Sequence, residues 1–152
     1  MKINNKLIKK DIMVIKTTNN FKIPNTNTFT KITGFSVMSQ LGDRLSFSNN
    51  NIVIGRGVKK VKVSYSTKHI SDVNKTRSFS YLVHNNNNIS QEGAFFSDTG
   101  QQITTTIAPQ LKDVHEGDTF GLAVYGYKDN IIGGTESFAT TCLTVEVVEY
   151  ED

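Results

Sequence analysis

Three histidines, one cysteine and a scatter of aspartates are the residues of this chain that could do chemistry. His69, His84 and His115 lie far apart, with no H-x-x-x-H or H-E-x-x-H spacing and no second cysteine beside Cys142. The spacing that lets neighbouring ligands converge on a zinc ion is therefore missing. No G-x-S-x-G elbow raises a serine nucleophile. Gly55-Arg56-Gly57 is followed by Val58-Lys59-Lys60 and does not complete G-x-G-x-x-G, so it reads as a turn and not as a phosphate cradle. Glycoside cleavage needs two carboxyl groups facing one bond, whereas Asp43, Asp72, Asp98, Asp113, Asp118 and Asp129 all fall in loop-like segments where an acid is simply solvated. No catalytic residue, metal ligand set or cofactor is expected, and each histidine is expected in a turn or on the surface. Asn74-Lys75-Thr76 and Asn88-Ile89-Ser90 match the glycosylation triplet, as chance matches do in a chain this rich in asparagine. Cys142 can form no intrachain disulfide, and its β-like surroundings suit a small buried residue.

The elements that would carry these residues are short. β-type runs separated by turn signals cover Ile32 to Met38, Arg44 to Phe47, Ile52 to Ile54, Val58 to Thr67, Arg77 to His84, Ile89 to Ser97, Gln101 to Ala108, Asp118 to Lys128 and Phe138 to Glu149. No long helix is evident, and the pattern predicts an all-β sandwich or barrel. Alternation nominates a core of Phe35, Val37, Val61, Val63, Tyr65, Phe79, Tyr81, Val83, Ile103, Ile107, Leu143, Val145 and Val147. Asn85, Asn86, Asn87 and Asn88 read as a hairpin tip.

With 152 residues, the chain fits one domain with a core of its own. Charge is uneven: residues 1–22 hold six lysines and one acid, leaving a net charge of −2 on the remainder of a chain whose total is +3. The body is therefore no nucleic-acid surface. Neither a membrane-spanning apolar run nor a signal-peptide core is visible, so synthesis in a cytoplasm without membrane insertion is expected. Ile3, Leu7, Ile8, Ile12 and Val14 stand in the basic segment without clean helical or strand periodicity. That segment, 1–22, is expected to be an attachment arm outside a domain spanning 23–152.

The stretch Gln110 to Tyr127 joins a turn to a two-faced strand. Gly117 supplies the backbone freedom and Asp118 a local acceptor. Phe120, Leu122 and Val124 then occupy one face, and Ala123, Tyr125 and Tyr127 the other. The second face is unusually aromatic for a solvated surface.

The order of these features resembles a known family. LSFSNNNIVIG, VKKVKVSYS, an F-Y-V strand with an Asn-rich tip, and L-x-x-V-x-x-G-D-x-F-x-L-x-V over Leu111, Val114, Gly117, Asp118, Phe120, Leu122 and Val124 look like the tumour-necrosis-factor-like jelly roll. The likeness extends to complement globular heads and especially to the copies that bacteriophages carry in fibres, baseplates and decoration proteins. It covers about residues 29 to 150, and the last strand departs from the family pattern at Phe138 to Leu143.

The resemblance implies an antiparallel β-sandwich of jelly-roll type and a homotrimer with Ala123, Tyr125 and Tyr127 at the interface. It further implies a non-enzymatic virion structural protein, joined to other virion proteins through the N-terminal arm. Asn85 to Asn88 would then be the loop that meets a host cell-surface glycan, and Asp43, Asp98 and Asp129 are where calcium near the trimer axis would be sought. The alternative reading is a free carbohydrate-binding, lectin-like module.

Overall fold

The computed structural model describes residues 10–24, 28–70, 77–95, 102–126, 130–134 and 141–152, the side chains of 88–95 excepted. In chain order the strands are β1 (Ile12–Thr17), β2 (Phe21–Lys22), β3 (Thr30–Lys31), β4 (Phe35–Leu41), β5 (Leu45–Ser48), β6 (Asn51–Ile54) and β7 (Val58–Ile70). They continue with β8 (Arg77–His84), β9 (Asn87–Phe95), β10 (Gln102–Thr106), β11 (Gln110–Asp113), β12 (Thr119–Gly126), β13 (Ile131–Ile132) and β14 (Cys142–Tyr150). They form two antiparallel sheets, one of eight strands and one of six. The all-β jelly-roll sandwich expected from the sequence is the observed architecture.

The eight-stranded sheet is built around β7. On one side β7 pairs with β14, which pairs with β1, which pairs with β4. On its other side β7 pairs with β10 and β11. β7 also pairs with β13, which pairs with β2, so the sheet's edge strands are β4, β2 and, off the main path, β10 and β11. In the six-stranded sheet β12 sits between β8 on one side and β6 and β3 on the other.

Between the sheets lie Met13, Ile15, Val61, Val63, Tyr65, Leu143 and Val145 from one layer and Ile52, Ile54, Leu82, Phe120, Leu122 and Val124 from the other, all buried. Burying each such side chain stabilises the fold by roughly 1.5–3 kcal/mol, so the alternation in β12 dictates which way that strand faces.

Three expectations are corrected. First, the segment from Asp11 onward is not an arm outside the fold. Ile12 and Val14 belong to β1, which is paired on both sides, while alternate residues Met13 and Ile15 enter the core. The outward positions Ile12 and Val14 are apolar as well, which obscures its period. Ile3, Leu7 and Ile8 lie outside the described residues.

Second, β8 faces the opposite way from its aromatic pattern. Ser78, Ser80 and Leu82 point inward, and Phe79, Tyr81 and Val83 are only partly buried. The inward serines have partners. Ser78 Oγ is hydrogen-bonded to His69 Nδ1, while Thr67 Oγ1 lies 2.7 Å from Ser80 Oγ, 3.0 Å from His69 Nε2 and 3.0 Å from Thr105 Oγ1. Tyr65 donates its hydroxyl to the Ser80 carbonyl at 3.2 Å. A buried polar group without partners costs several kcal/mol, so His69 and Thr67 require hydroxyls opposite them and set the parity of β8.

Third, Val37 and Ile103 are exposed despite their core-like parity. Both lie on edge strands. In β4 the register slips opposite Val14 and Ile15, leaving Met38 as the extra residue of a bulge.

Candidate functional site

The histidines do not assemble an active site. His69 is fully buried, not on the surface as its loop-like neighbours implied, and burial lowers its pKa to about 4, keeping the ring neutral. Histidine beside serine is a nucleophile-and-base pairing in kind, but Ser78 is 1% exposed and His69 0%, so no substrate reaches them. Their chemistry is hydrogen bonding inside the sandwich.

His84, Asn85 and Asp118 form a second polar node, at the end of β8. The Asp118 carboxylate accepts from the Asn85 amide at 2.9 Å and the His115 backbone N–H at 3.0 Å, with His84 Nε2 at 3.2 Å. Burial pushes the Asp118 carboxyl up, and these hydrogen bonds outweigh it, leaving the group below its ordinary value. His84 stacks on Phe120 with ring centres 4.4 Å apart. The node explains the G-D pair of the sequence pattern. Gly117 adopts φ +89° and its N–H donates to the Ile54 carbonyl, while Asp118 fastens the β8–β9 tip to the start of β12.

This bears on the expected glycan loop. Asn85 Oδ1 accepts the Thr119 N–H at 2.8 Å, so both ends of its amide hold the turn instead of facing a ligand. Asn86 is exposed, Asn87 donates to the Asn85 carbonyl, and the Asn88 side chain lies outside the described residues. Asn85 and Asn86 take positive φ values of 51° and 67°, which asparagine tolerates better than most residues.

Of the acids, Asp43 and Asp113 are solvated, lying 3.9 Å from Arg44 Nε and 3.6 Å from Lys60 Nζ. Asp72, Asp98 and Asp129 lie outside the described residues. Among the described residues no group of three or more His, Cys, Asp or Glu side chains could hold a metal ion. Cys142 is half-buried, its Sγ 3.2 Å from Ser66 Oγ.

On the expected trimer face of β12 the side chains already meet neighbours in the same chain. Ala123 pairs with Lys31 of β3 and Tyr81 of β8 and is only 5% exposed, so it offers almost nothing to a second subunit. Phe29, just before β3, lies 5.1 Å from the Tyr125 ring and 4.9 Å from the Tyr81 ring. Tyr127 lies outside the described residues.

The exposed apolar side chains gather elsewhere. Val37, Met38 and Leu41 stand on β4, with Met38 60% exposed. Ile103 on β10 and Leu111 on β11 stand at the opposite edge of the same sheet, Leu111 63% exposed. Between these edges the outer surface carries cross-strand charge pairs, Lys62 with Glu146 at 3.2 Å and Lys59 with Glu149 at 3.1 Å. Sequence reading missed Met38 and Leu41, and it placed Leu111 inside a family pattern without asking which way it points. Its place on a strand paired only with β7 among the described residues is the signal, and that needs the topology.

No protein-family profile and no curated protein matches this chain in sequence. Its fold is similar to the crystal structure of murine APRIL at pH 8.0, with a TM-score of 0.63 at 11% identity over 92% of this chain and 100% of that one. Murine APRIL at pH 5.0 gives 0.62 over the same shares. Eiger TNF from S. frugiperda gives 0.57 at 7% identity, over 94% of each chain. At these identities the likeness concerns the fold, which is that of the tumour-necrosis-factor type.

Proposed function

We propose that this chain is a non-enzymatic structural protein of a bacteriophage particle, a trimeric jelly-roll knob. The observation that supports self-association is the pair of exposed leucines on the outer face of the eight-stranded sheet, Leu41 on β4 and Leu111 on β11. The surfaces around Leu41 and Leu111 are unlike, so a contact between them is head-to-tail, and such contacts close into a ring when the rotation allows. Three copies and a place in a phage particle are what the sequence resemblance implies. In this reading the contact runs through Met38, Leu41 and Leu111, and not through Ala123, Tyr125 and Tyr127, the face that the sequence resemblance implies. Attachment to other virion proteins falls to the lysine-rich residues upstream of Asp11, among them Ile3, Leu7 and Ile8.

Native mass spectrometry of the purified protein at micromolar concentration, with immunolabelling of particles, tests this reading. The expected result is three chains per particle of soluble protein and label on virions. A stable monomer with an intact fold overturns the ring. The alternative, a free carbohydrate-binding module, draws its support from the aromatic rings on the other sheet.

A further inference from the structure

The outer face of the six-stranded sheet carries an arrangement that neither the ring nor the core uses. Phe29, Phe79, Tyr81 and Tyr125 lie together there because β8 turns its serines inward. Phe29 is 53% exposed. Its ring stands at 82° to Tyr81 and at 39° to Tyr125, so the three rings form an open corner and not a flat stack. Tyr81 and Tyr125 both meet the Phe29 ring, which places their two rings in one small region.

Two cations flank the rings. Lys31 reaches the Asn49 carbonyl at 2.9 Å, and the exposed Arg77 guanidinium lies over the Phe79 ring, 5.7 Å from its centre. No ion pair among the described residues involves Lys31 or Arg77. The surface thus offers ring faces, phenol hydroxyls and positive charge side by side.

We propose that this corner binds an acidic glycan, a pyranose ring stacking on Phe29 with a carboxylate or phosphate of the same chain meeting Arg77 or Lys31. A pyranose is amphipathic: its C–H face suits an aromatic ring and its hydroxyl rim suits the phenols. A purely apolar partner would leave the two cations desolvated without a counter-charge, and a bare anion would not use the rings. The inference does not rest on the ring of subunits, since the corner lies on the other sheet.

Isothermal titration calorimetry reads binding directly, and because the chain has no tryptophan, the change in tyrosine fluorescence, to which two of its five tyrosines contribute from this corner, is a second readout. Trigalacturonate, a hyaluronan tetramer and a sialic acid trimer, titrated at low salt, are the probes, with neutral galactotriose as the control. At least one acidic probe is expected to bind, and to bind at least about tenfold more weakly to Phe29→Ala and to Arg77→Gln, while galactotriose binds no better than those variants do. Both substitutions are on exposed side chains, and an unchanged thermal midpoint verifies folding. Absence of binding by all three acidic probes at millimolar concentration overturns the proposal. So does undiminished binding by Phe29→Ala, or equal binding of galactotriose.

Discussion

Asn85 and Asp118, 33 residues apart, hold each other: the Asn85 amide donates to Asp118 Oδ1 at 2.9 Å while its own oxygen accepts the Thr119 N–H at 2.8 Å. One side chain thereby ties the β8–β9 hairpin tip to the turn that starts β12. Asn85→Gly keeps the positive φ but removes the amide, so it isolates the tie from the backbone requirement. It is expected to cost about 1–2 kcal/mol, read as a lower urea midpoint at unchanged slope. A midpoint equal to wild type would mean that water replaces the amide without loss.

Two glycines with similar backbone angles separate conformational strain from steric exclusion. Gly117 has φ +89° and nothing within 4 Å of where a Cβ would sit. Gly42 has φ +78°, and a Cβ there would stand 2.1 Å from Asp11 Oδ1. Asp11 is 3% exposed, accepts the Arg44 N–H at 2.9 Å and takes the Tyr150 hydroxyl on its other oxygen, so it has little room to retreat. Gly117→Ala is expected to cost about 1–2 kcal/mol, and Gly42→Ala at least about 2 kcal/mol more. Equal losses in thermal or urea unfolding would show that the Asp11 site yields freely.

Stability should vary with pH at both ends of the range. The unfolded chain protonates His69 near its ordinary 6.5, whereas the folded chain does so only near 4. The contribution is therefore complete above pH 6.5 and is lost as pH falls toward 4, by about 3 kcal/mol in all. His69→Asn should flatten that part of the profile while lowering stability at neutral pH. Tyr150 moves the other way: burial, then the bond to Asp11, raises its pKa to about 12. Its contribution is complete below its ordinary value of 10 and is lost as pH rises toward 12, a dependence that Tyr150→Phe should remove. Urea midpoints measured across the pH range check both.

Much of the fold was legible because the residues themselves impose it. Gly117 and Asp118 followed by Phe120, Leu122 and Val124 announce a turn and a buried face, and these are where the structure has them. The strands β1, β2, β3, β11 and β13 were not legible. Two-residue strands carry no period, and in β1 the buried Met13 and Ile15 alternate with the equally apolar Ile12 and Val14. The orientation of β8 could not be read locally, because it depends on His69 and Thr67 across the sandwich. For the same reason the exposure of Leu111 and Met38 could be read only once the sheet order put their strands at its margins.

The proposed head-to-tail contact between the β4 and β11 edges is tested most directly by mixing two variants and weighing the product. Met38→Lys spoils one patch and Leu111→Lys the other, at exposed positions where neither change disturbs the core. Each alone is expected to give only monomers of 16.9 kDa by native mass spectrometry. An equimolar mixture retains one good patch on each chain, so it is expected to give a one-to-one heterodimer that cannot close into a ring, while wild type gives a trimer. Trimers persisting in either single variant, or a mixture that stays monomeric while wild type is trimeric, would contradict the account.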